Sequence, residues 1–411
     1  MNNEGALAGI RVLDLTRVLA GPVATQTLAD LGAEVIKVER PGNGDDTRAW
    51  GPPYLKDAAG RDTGESTYFA CANRGKKSVA IDLTTPEGRR VVRELALRSD
   101  VLLENFKTGD LRRHGLDYAS LAPDCPRLVY GSITGYGQSG PYAPRAGYDP
   151  IAQALCGLMS VTGEHESMPG STPQRVGVAL VDLMTAQYAV VGILAALMHR
   201  QHSGRGQYLD LALLDVGVAS MANVAAAFLG AGVVGERNGG VHPSVVPSQV
   251  FRCADGFISV AAGNDGQFAK LCEACGEAQW AGDPRFATNA ARVRNKDELA
   301  PLLKEKFIAR RVSEWNAALV KAGVPAGPVL NIDQVFEDPQ VRHRELKVSL
   351  PHPVAGTVNL TASPVRLSAT PARYELPPPL LGQHTEEVLR EILGMDAAQI
   401  ARLQAGGTLA G

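Results

Sequence analysis

Residues 10–15 (Ile-Arg-Val-Leu-Asp-Leu) form a short run of apolar and β-prone positions, residues 22–31 place apolar side chains at helical spacing, and residues 34–38 form a second strand-like run. Together they predict a βαβ unit. A second set follows: a strand over 78–83, a helix opened by Thr85 with Pro86 at its first position and continuing through Leu97, and strands over 100–103 and 127–134. Strands alternating with helices imply α/β architecture: a mostly parallel, Rossmann-like sheet covered on both faces. Residues 182–201 read as one long apolar helix ended by Ser203-Gly-Arg-Gly206, and 207–214 return to strand character. From about Pro243 the pattern changes to short strands (251–252, 257–261), a helix from Asp265, and two charged helices over 295–308 and 312–321. That block predicts a smaller α+β domain. The tail from Gln340 returns to strand and turn, with Pro377-Pro-Pro379 ahead of two short helices reaching Leu403. The expected organisation is a large domain over 1–215, a small one over 240–335, and a segment over 340–411 that rejoins the large domain.

Composition narrows the classes. Glycine is 44 of 411 residues, about 11% against a usual ~7%, yet glycine and proline together stay below the ~25–30% of low-complexity chains. No G-X-Y period accompanies them, so collagen-like and disordered readings are excluded. A formal charge of −2 supplies no basic field for nucleic acid or an anionic membrane. The 6 cysteines are scattered, which fits reduced thiols in a cytosolic protein better than a disulfide framework. Cys272 and Cys275 form a C-x-x-C without a second pair at zinc spacing and read as two thiols on a helix. The N-terminus carries no signal-peptide pattern, and the apolar run over 189–198 is about half of a bilayer span, so a cytoplasmic location is expected.

Gly135-Tyr-Gly137-Gln-Ser-Gly140 matches G-x-G-x-x-G and follows a strand. A dinucleotide site needs a helix starting inside those glycines, and Pro141, Pro144 and Gly147 break one instead; a glycine loop is expected. Asp182 precedes the long apolar helix. It reads either as a cap, favoured by free amides and the helix dipole, or as a carboxylate nucleophile.

Several ordered blocks bear on that choice: residues 9–22, 31–42, 44–53, 132–141, 145–149 and 378–384, with Glu104-Asn-Phe106 and the stretch 177–182. Over nearly the whole chain they resemble the class III CoA-transferases, the CaiB/BaiF and formyl-CoA transferase family, and its glutarate-activating branch in particular. The resemblance implies transfer of CoA from an acyl-CoA such as succinyl-CoA to a free dicarboxylic acid of the glutarate or 3-hydroxy-3-methylglutarate type. CoA would be a substrate, with no permanently bound cofactor, and the chains would form an interlocked homodimer. It places the catalytic aspartate on Asp182 and CoA contacts on Val18, Leu19, Arg40, Ile81, Asp82, Leu83, Thr84, Asn105, Phe106 and Arg113, with Tyr148 and Asp149 beside the reacting group. Formyl-CoA transferase has glutamine where Leu19 stands and lysine where Ala146 stands, which argues against oxalate-type recognition. The related racemases need His-Asp where this chain has Tyr148-Asp149, and tyrosine is not a base at neutral pH. The family's glycine loop is reduced to Gly263-Asn-Asp-Gly266, expected to close over the site. Arg17 and Arg48 are candidates for holding a distal carboxylate.

Overall fold

The computed structural model describes residues 5–409. Strands β1 (Arg11–Leu15), β2 (Glu34–Glu39), β3 (Lys76–Ala80), β4 (Val101–Glu104), β5 (Val129–Thr134) and β6 (Tyr208–Ala212) form one sheet in the order β3-β2-β1-β4-β5-β6. Every neighbouring pair is parallel. This is the doubly wound order 3-2-1-4-5-6: the chain winds outward from β1 in one direction, then reverses, leaving a crevice between the carboxyl ends of β1 and β4.

Helix α1 (Ala20–Asp30) follows β1, α2 (Pro86–Ala96) follows β3, and α3 (Asp149–Leu155), α4 (Leu180–Ser203) and α5 (Leu213–Ser220) come later in the chain. The expected cap of α2 is present, with Gly88 N–H donating to the Thr85 hydroxyl and Pro86 at the helix start. In α4 the buried positions Thr185, Ala186, Ala189, Val190, Ile193, Ala196, Leu197 and Arg200 recur at helical period. That stripe joins Ala24 and Leu28 of α1 over Val12, Val35, Val101 and Val129 of the sheet. The apolar stretch is longer than the run over 189–198 suggested: α4 has 24 residues and is long and apolar enough to cross a bilayer by length and composition alone. The strand predicted over 207–214 ends at Ala212, and Leu213 and Leu214 begin α5 instead. Two adjacent leucines suit either element, so period alone did not separate them.

Contacts divide the chain into two units. The first takes everything up to Gly157, then Gly177–Ala225, and everything from Arg342 on; the second takes Leu158–Val176 and Ala226–Val341. Residues 158–176 thus leave the stretch expected to be continuous over 1–215. Gly239 N–H donates to Gly163 O (2.9 Å) and Arg237 Nε to Glu164 O (3.1 Å), tying that segment into the second unit. There β7 (Ser248–Arg252), β8 (Phe257–Ala261), α6 (Asp265–Ala274), α7 (Lys296–Ile308), α8 (Val312–Ala322) and β9 (Ala326–Pro328) enclose a core of Phe251, Phe268, Phe307 and Trp315. Cys272 and Cys275 lie buried in that core, and burial pushes their thiols up to about 12 and about 11, so both are inert at neutral pH.

The C-terminal stretch adds a hairpin, β10 (Lys347–His352) and β11 (Gly356–Thr361), then α9 (Thr385–Leu393) and α10 (Ala397–Ala405). Val388, Leu389, Ile400 and Leu403 of the two helices pack with Val91, Val92 and Leu95 of α2 over Leu13, Ile36, Val79 and Leu102. Thr385 Oγ1 accepts from Ala80 N–H (3.0 Å), and the Ser78 hydroxyl from Gly382 N–H (2.9 Å), on edge strand β3.

Candidate active site

The loops that leave the carboxyl ends of β1 and β4 surround a cavity of about 160 Å³. Residues 17–19 come from the first loop, Ala20 from the start of α1, and 105–108 from the second loop; Thr134 ends β5 and Gly135 follows it, Arg145 to Tyr148 precede α3, and Asp182 comes from the first turn of α4. The fold's switch point and the cavity coincide.

The β1–α1 turn is held on several sides. Thr16 N–H donates to Asp14 Oδ1 (2.9 Å). Arg17 N–H donates to Asn105 Oδ1 (2.9 Å), and Asn105 Nδ2 donates back to Arg17 O (2.7 Å), so the Asn-Phe pair after β4 clamps the turn after β1. Val18 takes φ +71°, a left-handed conformation that costs a β-branched residue about 1–3 kcal/mol. Phe106 is fixed from beneath, its N–H donating to Glu104 Oε2 (2.7 Å). Glu104 is buried, and burial pushes its carboxyl up to about 7 against the lowering effect of Ser132 and the Phe106 amide. The sequence marked Glu104 only as part of the Glu104-Asn-Phe106 block and gave it no role; a strand-terminal acid is unremarkable until its burial is known.

Asp182 is not the helix cap. Ala179 occupies that position without a side-chain bond, and the first amides of α4 are capped from another helix: Asp149 Oδ1 accepts from Val181 N–H (2.8 Å) and Asp182 N–H (3.2 Å). Gln153 Nε2 holds the other Asp149 oxygen (2.7 Å). Asp149 is therefore buried behind the cavity rather than lining it: it adjoins Asp182, where the resemblance put it, but is corrected as a group that would itself touch CoA. With the capping done elsewhere, the Asp182 carboxylate receives no hydrogen bond among the described residues. Burial, then the neighbouring Asp149 charge, push it from 3.8 up to about 7.

Tyr148 lines the cavity and is 60% exposed. It is brought there by two glycines in backbone contact: a Cβ on Gly147 would lie 2.5 Å from Gly135 Cα, and one on Gly135 would lie 2.7 Å from Gly147 Cα. The G-x-G-x-x-G stretch thus forms a loop pinned at its first glycine, and no helix begins within it.

The remaining predicted residues, Arg17 excepted, stand outside this cavity. Arg40 follows β2 and Ile81 to Thr84 follow β3, on the same carboxyl edge. Asp82 Oδ1 accepts from Thr84 N–H (2.8 Å), and that amide, followed by the Thr84 hydroxyl and the nearby Arg40, holds the Asp82 carboxyl low. Ile81 is buried and Leu83 partly so. Arg113 is exposed and pairs with Asp110. Arg48 is corrected outright as a substrate ligand: it forms a two-pronged pair with Glu39 (2.7 Å for each contact) and stacks over Phe69 at 3.7 Å, away from the cavity. Arg17 does line the cavity and pairs with Asp46 at 2.9 Å. Gly263 and Gly266 belong to the second unit; Asn264 between them caps α6, its Oδ1 accepting from Gln267 N–H (2.9 Å), so the segment is a capped helix start.

A model of CoA-transferase family III matches residues 7–385. The chain belongs to this family. It is similar to the succinate–glutarate CoA-transferase of Agrobacterium fabrum, 46% identical over 95% of this chain and 96% of that one. The human succinyl-CoA:glutarate CoA-transferase is 43% identical over 100% of this chain and 91% of its own length. Among solved structures, a CaiB/BaiF family protein from Brucella suis superposes with a TM-score of 0.85 at 43% identity, covering 95% of this chain and 100% of that one. The chain is thus an enzyme, a CoA-transferase of mixed α/β fold.

Among the cavity residues of this CoA-transferase that the sequence did not mark as candidates, Arg145 matters most. Arg145 stacks its guanidinium over the Tyr142 ring at 3.8 Å and has no carboxylate partner among the described residues. Its cue was present, since an arginine directly before Ala146-Gly-Tyr148 has to follow whatever Gly147 and Tyr148 do.

Proposed function

We propose that the enzyme exchanges CoA between succinyl-CoA and a free dicarboxylate, glutarate or the related 3-hydroxy-3-methylglutarate, through a thioester on Asp182. The observation that carries this reading is the Asp182 carboxylate at the switch-point cavity, with no donor occupying its oxygens among the described residues. Such a group is poorly solvated and correspondingly basic, which makes it a better nucleophile than a surface aspartate. The names of the Agrobacterium and human relatives support the choice of acids.

The chemistry balances without metal or redox partner. An Asp182 oxygen attacks the succinyl thioester carbonyl, the C–S bond breaks, and a mixed anhydride and CoA thiolate result. The thiolate attacks the aspartyl carbonyl and releases succinate, leaving aspartyl-CoA. Glutarate attacks that thioester, expelling thiolate and forming a second anhydride; the thiolate attacks its glutaryl carbonyl, giving glutaryl-CoA and free Asp182. Each addition places charge on a carbonyl oxygen, so amides facing the cavity have a catalytic purpose.

A diacid leaves a second carboxylate to be held. Arg145 and Lys107 both line the cavity and can supply the cation, since Arg17 already has Asp46; the Arg145 guanidinium, held over Tyr142, offers the two-pronged geometry that suits a carboxylate. The cavity is too small for a whole cofactor-sized ligand, which typically needs at least ~300 Å³. The nucleotide end of CoA therefore runs along the carboxyl edge toward Arg40, Asp82 and Thr84. Three strand spacings of ~4.8 Å separate β4 from β3, on the order of 14 Å.

The same reading includes an interlocked homodimer. Dimerisation is supported by the helix Ala222–Ala231, none of whose residues is buried, and by exposed Phe228, Leu229, Val233 and Val234 around it. A donor and acceptor matrix read by mass spectrometry of the CoA esters tests the substrates: preference for monocarboxylates overturns the diacid reading. Trapping with hydroxylamine after succinyl-CoA is added should mark the Asp182 peptide, and an unmodified peptide under single-turnover conditions rejects the covalent route.

A further inference from the structure

The cavity wall contributed by the first βα turn is held in shape by two charges that do not reach the cavity. Val18 stays at φ +71° although a β-branched residue relaxes readily into extended or helical backbone. It lines the cavity together with Arg17 and Leu19, so whatever holds its backbone also sets that wall. Lys37, from the middle of β2, donates Nζ–H to Thr16 O (2.8 Å) and pairs with Asp45 Oδ2 (3.0 Å). Asp45 Oδ1 accepts from Val18 N–H (3.2 Å), and Thr47 N–H (3.0 Å) and Oγ1 (2.8 Å) fix that oxygen in turn. The pair therefore grips the turn at a carbonyl on one side of Arg17 and an amide on the other. The Lys37 and Asp45 side chains are 1% and 0% exposed, and neither lines the cavity.

Burying an ion pair is a weak way to gain stability, because desolvating two charges offsets most of their attraction and apolar residues of similar volume commonly serve as well. Stability alone leaves unexplained why charges stand here. We propose that Asp45, with Lys37 as the counter-charge that lets its carboxylate stay buried, is a positioning residue for CoA transfer, fixing the strained backbone at Val18 so that the cavity wall meets the thioester in one geometry. This rests on the reading of the Asp182 cavity as the thioester site.

Removing one partner would strand the other charge in the core, so the test removes both. Lys37→Met with Asp45→Leu leaves the space filled and uncharged but gives Val18 N–H no acceptor. Lys37→Met with Asp45→Asn keeps an amide oxygen where Oδ1 stood. The Leu variant should lose about 10–100-fold in kcat for succinyl-CoA and glutarate while KM for succinyl-CoA moves by no more than about threefold. The Asn variant should return to within about threefold of the wild type, and Val18→Gly added to the Leu variant should recover at least about fivefold, because glycine adopts positive φ without restraint. Turnover of the Leu variant within about twofold of wild type overturns the proposal. So does a loss that neither Asp45→Asn nor Val18→Gly reverses, the pattern of a merely loosened core. Should the Leu variant fail to fold, replacing Val18 by its α-hydroxy acid deletes only the N–H, leaves the ion pair in place and is read by the same kcat and KM criteria. Asp182→Asn run alongside separates the two claims. If it still transfers CoA, the thioester-site reading and this proposal fall together; an inactive Asp182→Asn beside an unimpaired Leu variant rejects the positioning role alone.

Discussion

At Asp182, protonation ties activity to stability. Its reactive form is the carboxylate, and burial followed by the Asp149 charge raise it to about 7, so kcat/KM should fall about tenfold per pH unit below 7 and level off above it. A flat profile between pH 5 and 8 would reject a nucleophile of that basicity. The stability effect runs the other way. A carboxyl whose folded value lies above its unfolded 3.8 favours the native state below about pH 4 and loses that contribution as pH rises through 7. Asp182→Asn should therefore abolish transfer, by about 10³-fold or more, yet stabilise the fold at pH 8 by about 1–3 kcal/mol, with the gain vanishing toward pH 4. Thermal unfolding at the two pH values checks this. Arg145→Gln should lower kcat/KM for glutarate by about 10–100-fold, the worth of a charge-assisted hydrogen bond, and leave a monocarboxylate acceptor nearly unchanged. The sequence left Asp182 between cap and nucleophile because both roles place an acid in the first turn of a helix. Asp149 takes the capping role from 33 residues upstream, which removes that alternative and leaves the nucleophile as the proposed role. No local pattern records which acid faces which amide.

Among the elements, alternation of strand and helix was readable wherever one period persisted, as in β1, α1 and β2, whose apolar positions agree with burial. It was unreadable where a run suits two periods, which is why the end of β6 merged with the start of α5. The glycine loop after β5 shows a second limit. Its prolines excluded a nucleotide-binding helix, but that Gly135 would touch Gly147 depends on how the loop closes. Gly147→Ala should force those backbones apart, costing about 1–3 kcal/mol of stability and displacing Arg145 and Tyr148, with a larger loss of turnover than Gly140→Ala, where a Cβ meets open space. Gly140 still has φ +90°, so its own substitution carries strain without a clash. Comparing unfolding midpoints and kcat of the two variants separates contact from conformation.

For the whole molecule, the change of pattern near Pro243 falls inside the second unit, whose main stretch begins earlier, at Ala226, and the transfer of residues 158–176 to that unit was not visible, because that stretch has no strong period of its own. The exposed apolar side chains around Phe228 and Leu229 predict a dimer by mass in solution; Phe228→Asp with Leu229→Asp should shift it toward monomer, and an unchanged mass would place the contact elsewhere. The first unit is assembled from three separated stretches, the last beginning at Arg342. A ribosome releases the sheet and Asp182 long before it releases α9 and α10, so the face those helices share with α2 waits only partly covered while most of the second unit is being made. Premature termination anywhere beyond the second unit would therefore strand an already synthesised active site on an aggregation-prone intermediate.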